Sequence, residues 1–462
     1  MDDVEDDLVE EEPRPHIFKA YDIRGLVETE LTPDFAFQTG LAFARYLEQE
    51  RQPGTIVIGE DMRPSSPLLA EAFSAGATSN GMDVVRIGLA STDMLYFASG
   101  KLDMPGAMFT ASHNPAEYNG IKLCKSGARP IGKESGLQVI ERYVFDGSPI
   151  PMRPVGVENR RNMLDEYISH LLSLVDVSQI RPLKVVVDAG NGMAGYTAGP
   201  LFEKLNVELV PMYFDLDGTF PNHDANPIDP KNMKDLQKAV RKHKADIGLA
   251  FDGDADRCFL VDENGDMVNP SALTGLIAER ELGRYPKSKV IYNLISSRAV
   301  SEIVEECGGT AIRSRVGHSY IKKLMAETDA VFGGEHSGHF YFRDFWCADS
   351  GMLAALHAIA ALGSQKTPLS KILKKYQRYF LSGEINSTVS NPQKIMAKVE
   401  KVFGSKEGIS IDHLDGLTVS SESWWFNLRP SNTEPLLRLN VEAKTQARLA
   451  RVRDEVLDLL NT

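Results

Sequence analysis

The sequence predicts an α/β protein with three tandem mixed α/β domains and a smaller α+β C-terminal domain around a central cleft. Three observations lead there. The chain of 462 residues is too long for one ordinary core, and ~100–200 residues per domain implies roughly three to four of them. An apolar strand running into a small polar loop and then a helix opens three successive stretches of the chain. After about Pro368 that grammar stops and strand-rich text replaces it.

Each element has its own signal. Thr32-Pro33 pairs an N-cap with a proline at the first helical position, so a helix is expected from there to about Glu50. TIVIGED is a short apolar strand, SPLLAEAFSAGATS a helix and MDVVRIGL a second strand. This βαβ unit calls for a parallel sheet with helices on its faces. LKVVVDAGNGMAG is a strand entering a glycine-rich loop, with a helix expected before VELVPMYF. KVIYNLISSRAV is a strand, a polar loop and the start of the helix RAVSEIVEEC. At the end, LSGEINSTVS, WWFNLRP and LLRLNVEA are strands around one long helix, and ARLARVRDEVLDLL is an amphipathic helix. The division expected is an acidic disordered tail over 1–13 and four domains over 14–155, 156–262, 263–370 and 371–462. Ligands of doubly wound sheets collect at the C-terminal ends of the strands, so a cleft lined by one loop from each domain is the expected site.

Composition narrows the function classes. No apolar run reaches the ~18 residues of a membrane helix; the best candidate, Gly351 to Gly363, is short, carries His357 and reads as a buried helix. MDDVEDDLVEEEP lacks the apolar stretch of a signal peptide and reads as a solvated tail. Cys124, Cys258, Cys307 and Cys347 show no CxxC spacing, which fits small buried hydrophobes in a reducing, cytoplasmic setting. A net charge of −13 disfavours nucleic acid and anionic membrane as partners, and a monomer or dimer is expected. An anionic substrate would therefore need a locally basic pocket.

Four loops carry candidate chemistry. Thr110-Ala111-Ser112-His113-Asn114-Pro115 follows the apolar stretch Gly106 to Phe109 and offers a serine beside a histidine on an Asn-Pro turn. A capped loop with a surface histidine is the plainer alternative. Tyr118-Asn119-Gly120-Ile121-Lys122 then leads a lysine back toward the serine. Asp252-Gly253-Asp254-Ala255-Asp256-Arg257 follows the apolar strand Ile247 to Phe251. Alternate carboxylates on an extended segment would point one way and offer three hard oxygen ligands to Mg²⁺. A calcium-binding EF-hand loop is nearly spelled, with Glu263 at its last position. It fails where Arg257 replaces the glycine of the turn and where Cys258 to Val261 reads as a strand running to an Asn264-Gly265 hairpin. A solvated acidic loop is the other alternative.

The third loop, Gly333-Gly334-Glu335-His336-Ser337-Gly338-His339, could accept from and donate to sugar hydroxyls, or be a decorated turn. The fourth, Arg429-Pro430-Ser431-Asn432-Thr433-Glu434-Pro435, suits a phosphate, with a guanidinium for a bidentate contact, or is a structural turn. Together the loops supply a serine, a metal-ready triad, a hydroxyl reader and a phosphate grip, one from each domain. Arg24, Lys122, Arg257, His318 and Arg429 provide the local positive field.

In order and spacing, TASHNP, DGDADR, GEHSGH and RPSNTEP resemble the α-D-phosphohexomutase family over nearly the whole chain, from Lys19-Ala20-Tyr21-Asp22-Ile23-Arg24-Gly25 to the C-terminal helix. The resemblance implies a fourth domain that can rotate. It also implies a phosphorylated Ser112 and Mg²⁺ held by Asp252, Asp254, Asp256 and a phosphoserine oxygen. Arg24, His113, Lys122 and Arg257 would surround the transferring group, with His318 near enough to assist proton transfer. Glu335, Ser337 and His339 would face the sugar, and Arg429, Ser431, Asn432 and Thr433 the phosphate that is not reacting. A hexose phosphate would be converted through a hexose 1,6-bisphosphate. The opening Phe18 to Gly25 resembles phosphomannomutases and dual mannose/glucose enzymes, whereas phosphoglucosamine mutases carry an FGTDG-like run. His336 stands where relatives often have Met, Glu or Gln, and Ile295-Ser296-Ser297 where dual-specificity bacterial enzymes have a lysine. Mannose is the expected sugar, with glucose or both as the alternative. A serine phosphohydrolase or a non-catalytic sugar-phosphate sensor are the rivals from other classes; a nucleotide kinase is disfavoured, because no GxxxxGK[ST] run occurs.

Overall fold

Four sheets, each built from consecutive stretches of chain, organise the computed structural model, which describes residues 16–145, 153–430 and 436–460. In the first, Thr55–Glu60 lies parallel to Asp83–Leu89 and Gly106–Phe109, and Glu158–Arg160 extends it beside Asp83–Leu89. Tyr118–Lys125 runs antiparallel to Gly106–Phe109 and carries Ile23–Leu26 at the edge. The Thr32 hydroxyl accepts from Phe35 N at 3.2 Å and caps the helix Pro33–Gln49, as the Thr-Pro pair indicates.

The second sheet has the order Cys258–Asp262, Ile247–Phe251, Leu183–Asp188, Val207–Met212, with only the first pair antiparallel. In the third, Lys289–Asn293 is flanked in parallel by Thr310–Ser314 and Phe332–Gly334, and Phe340–Phe342 turns back antiparallel. The last sheet is antiparallel throughout, with Leu436–Ala443 between Phe380–Thr388 and Trp424–Pro430. It also contains two short strands, Leu417–Ser420 and Ser410–Asp412, that the sequence pattern does not announce.

One continuous apolar core runs from Val57 to Tyr376 and ties the first three units together, while the last unit keeps a separate core from Val389 to Leu460. Every residue of the helix Gly351–Gly363 is buried, so its apolar character reflects a central packing position. Among the described residues no helix is long and apolar enough to cross a membrane. The last unit docks largely through polar groups. Arg298 donates to Ser421 O and Glu422 O, and its backbone N donates to Glu442. The connecting segment is pinned by Arg378, which pairs with Glu302 and Glu306.

Candidate active site

The serine loop leaves the end of Gly106–Phe109 in the centre of the first sheet, and Ser112 adopts φ +52°, a left-handed conformation costly for a residue with a Cβ. Arg63 holds it there. This arginine is almost fully buried, and its guanidinium donates to the carbonyls of Ser112 (3.1 Å), Asn114 (2.7 Å), Pro115 (2.8 Å) and Tyr118 (2.9 Å). Asp61 fixes Arg63 from behind at 3.3 Å and also accepts from Ser66 Oγ. The Ser112 hydroxyl, on a residue 4% exposed, donates to Asp252 Oδ2 at 2.9 Å. It lies 3.2 Å from His113 Nδ1 and 3.4 Å from Arg257 Nη2. Arg257 also donates to His113 Nδ1. Burial, then the Arg257 and Arg24 guanidiniums, hold His113 well below the usual imidazole range, so it is neutral.

A planar fork with four acceptors has no lysine equivalent. Arg63→Lys is therefore expected to lower kcat by about 10- to 100-fold with KM little changed, because a misplaced reacting group costs on the order of 10². Steady-state kinetics beside a thermal melt would check this; unchanged turnover in a folded variant would mean the loop does not depend on the fork.

The triple-aspartate segment differs from the extended form expected of it. It is a turn: Ala255 N donates to Asp252 O at 3.1 Å and Ala255 has φ +60°. The turn, and not strand alternation, brings one oxygen of each of Asp252, Asp254 and Asp256 within 4.8 Å of the others, all three residues buried. Glu263, which an EF-hand would need, instead accepts from Ser370. Lys122 sits on this cluster, 2.6 Å from Asp254 Oδ2 and 2.7 Å from Asp256 Oδ2, and Arg257 Nε is 2.7 Å from Asp252 Oδ2. Burial opposes the Lys122 charge, but the two carboxylates hold it well above the usual lysine range. Burial likewise opposes the charge on Asp254, yet Lys122 keeps it well below the usual carboxylate range. Burial pushes Asp252 upward against the pull of Arg257.

Asp254 Oδ1 and Asp256 Oδ1 are buried and accept no hydrogen bond. Buried acceptors of this kind are rare, and an all-oxygen set beside a hydroxyl suits a hard divalent cation. The cluster can therefore hold a metal ion against Ser112.

The third loop lies against this centre. His339 forms a backbone bridge with Arg257, and its Nε2 is 3.5 Å from Asp256 Oδ1. Ser337 Oγ donates to Glu335 Oε2 at 2.8 Å and lies 2.9 Å from His339 Nδ1. Glu335 Oε1 is buried without a partner, and burial raises this carboxyl. Arg24 reaches the serine loop through Asn114 Oδ1 at 2.6 Å. His318 begins the helix His318–Thr328. Arg429 lies next to the end of the strand Trp424–Pro430, 3.5 Å from Glu384, and Ser431, Asn432 and Thr433 of that loop lie outside the described residues.

Two site residues lie outside the four motif loops. Arg63 belongs to Asp61-Met62-Arg63-Pro64-Ser65-Ser66, between the apolar strand and the helix that follow one another there. Thr92 donates through Oγ1 to Asp254 Oδ2, and through its backbone N to Asp254 O at 3.0 Å. At Ile295-Ser296-Ser297 the structure has Ser297 capping the helix Arg298–Glu306 and Ser296 Oγ bonded to Asn293 Oδ1 at 2.6 Å.

Three α/β units that share a core, with a fourth unit of its own, define a multidomain α/β protein whose loops set a serine against a metal-ready carboxylate turn. The chain belongs to the phosphoglucomutase/phosphomannomutase family. The models of its three alpha/beta/alpha domains match residues 15–149, 165–265 and 269–379, and that of its C-terminal domain matches 384–459. Phosphomannomutase from Salmonella montevideo is 41% identical over 455 residues, covering 96% of this chain and 99% of the relative. A protein of Xanthomonas campestris described as phosphohexose mutases is 42% identical over 447 residues, covering 96% of this chain and 98% of the relative. A solved phosphoglucomutase/phosphomannomutase family protein from Burkholderia thailandensis has a TM-score of 0.88 at 32% identity over 96% of each chain.

Proposed function

We propose that this enzyme is a phosphomannomutase, interconverting mannose 6-phosphate and mannose 1-phosphate through phosphorylated Ser112 and a bound hexose 1,6-bisphosphate. The observation that carries the reading is the buried Ser112 hydroxyl, 2.9 Å from Asp252 and facing Arg257, in a chain 41% identical to a phosphomannomutase along its length. Phosphoryl transfer asks mainly for positioning and charge stabilisation, which is what these residues offer. Mg²⁺ bound by Asp252, Asp254, Asp256 and a phosphoserine oxygen would neutralise charge on the transferring group.

Arg257, Arg24 and Lys122 surround that group with positive charge, and neutral His113 accepts from Arg257 and keeps the guanidinium aimed at the serine. In this reading Glu335, Ser337 and His339 orient the sugar hydroxyls, and His318 assists proton transfer. Arg429, Ser431, Asn432 and Thr433 hold the phosphate that is not reacting. The polar contact between the third and fourth units suits a movement that lets the bisphosphate turn over before returning its other phosphate to Ser112.

Coupled rates with mannose 1-phosphate and glucose 1-phosphate, in the presence of hexose 1,6-bisphosphate, test the reading. The higher kcat/KM is expected with mannose 1-phosphate. Dialysis against EDTA is expected to remove at least about 100-fold of the activity, restored by Mg²⁺. A preference for glucose 1-phosphate would favour the phosphoglucomutase or dual-specificity reading, which the 42% identity to a phosphohexose mutase keeps in view. Release of free phosphate without isomerisation would point to a serine phosphohydrolase.

A further inference from the structure

The first three units meet on one buried carboxylate. Asp93, fully buried in the first turn of the helix Thr92–Leu102, accepts from Tyr167 Oη at 2.7 Å, from Ser350 Oγ at 2.6 Å and from Ser91 Oγ. The donors come from three places: Ser91 caps Asp93's own helix, Tyr167 lies on Leu164–Leu174, and Ser350 caps the buried helix Gly351–Gly363. On both sides the neighbouring residue runs to the metal-ready turn. Thr92 bonds Asp254 twice, through its side chain and its backbone. Asp349 pairs with buried Lys322 at 2.6 Å and lies 3.9 Å from His339 Nε2, the atom that faces Asp256.

A buried carboxylate is an expensive way to stabilise a core, since well-packed apolar residues of similar volume often do as well or better. Asp93 carries that cost where three units join and one residue away from a bond to Asp254. An ionised carboxylate only accepts, through two oxygens, so three hydroxyls can all turn their protons inward to it. That fixes their directions and, with them, the relative placement of three helices.

We propose that Asp93 is a positioning residue for the phosphoryl-transfer centre. It clamps the three units in the registry that sets Thr92 on Asp254 from one side and Asp349 behind His339 from the other. The inference rests on the metal role proposed above for Asp252, Asp254 and Asp256.

The test is Mn²⁺ binding to the full-length, metal-free protein, followed by electron paramagnetic resonance, beside steady-state kinetics. Asp93→Leu and Thr92→Val are each expected to weaken Mn²⁺ by about 10- to 100-fold, the usual effect of losing a residue that orients a metal's ligands. kcat should fall in parallel, with KM for the hexose phosphate shifted by less than about threefold, since substrate-binding groups are untouched. Asp93→Asn, which keeps one accepting oxygen for Tyr167 and Ser350, should recover most of the Mn²⁺ affinity. The double variant Asp93→Leu/Thr92→Val should be little worse than the poorer single one, because residues acting along one path are not additive. If Asp93→Leu does not fold, Tyr167→Phe removes one donor and should shift Mn²⁺ affinity in the same direction. Mn²⁺ affinity equal to wild type in the folded variants, or additive losses in the double variant, overturns the inference while leaving the metal site in place. Failure of the wild-type protein to bind Mn²⁺ overturns the metal reading itself.

Discussion

Replacing Ser112 with alanine is expected to lower kcat/KM for mannose 1-phosphate by about 10⁴-fold or more, the scale seen when a covalent carrier is removed from a unit of cooperating groups. At ~1.36 kcal/mol per tenfold, that is about 5.5 kcal/mol of transition-state stabilisation. Arg257 and Lys122 would still attract phosphate, but no acceptor would remain for it between the two half-reactions. The fold should hardly notice. Alanine has the same Cβ as serine at φ +52°, so the backbone strain is unchanged. Asp252 loses one hydroxyl at 2.9 Å yet keeps the Arg257 side chain and backbone N. A melting temperature within about 2 °C of wild type is expected on that basis. Intact-mass spectrometry after incubation with hexose 1,6-bisphosphate separates the cases: wild type should gain one phosphoryl group and Ser112→Ala none. Turnover near the wild-type rate, or phosphate mapped to another residue, would place the carrier elsewhere.

Strand-to-loop grammar made most of this fold legible in the sequence. Apolar strands such as Ile247–Phe251 are buried on both faces and read as continuous hydrophobic runs, and their ends fall where polarity begins. The short strand Ser410–Asp412 was not legible, because it lies at an edge with little burial and so carries no period, and the four residues of Leu417–Ser420 are too few to establish one. The metal-ready turn was legible in composition but not in shape. DGDAD spells alternation, and nothing local says that Ala255 will enter the left-handed region to fold the three carboxylates inward.

Supporting residues were hidden for a different reason. Arg63 lies far from Ser112 in sequence and binds its loop only through backbone carbonyls, which leave no complementary side-chain motif to notice. Thr92 and Asp93 look like an ordinary helix start, since Ser-Thr-Asp is also a good capping sequence, and Ser91 does cap Met94 N. A motif shows the groups that meet a ligand. The groups that aim them are specified by tertiary contact, and they become visible only once the units are packed together.

Gly253 tests that view at its tightest point. A Cβ on this residue would lie 2.3 Å from the carbonyl oxygen of Ser112, and Gly253 O in turn leaves only 2.6 Å for a Cβ on Gly192. The carboxylate turn and the serine loop thus touch backbone to backbone, with no flexible side chain to give way. Gly253→Ala must separate them by on the order of 1 Å, which is about the misplacement that costs 10²-fold in rate. A kcat about 100-fold lower is therefore expected, together with weaker activation by Mg²⁺. Overpacking of this kind also destabilises by about 1–3 kcal/mol, so the melting temperature should fall. Gly283→Ala is the control. It lies exposed near the end of the helix Pro270–Arg284 with nothing within 4 Å of a new Cβ, so alanine should stabilise the protein by about 0.5–1 kcal/mol and leave kcat unchanged. If Gly253→Ala kept full turnover while melting earlier, the glycine would serve only packing, and the distance between Ser112 and the carboxylates would not be what limits the reaction. If it lost turnover out of proportion to its stability, the backbone contact between the first two units would be setting the geometry of phosphoryl transfer.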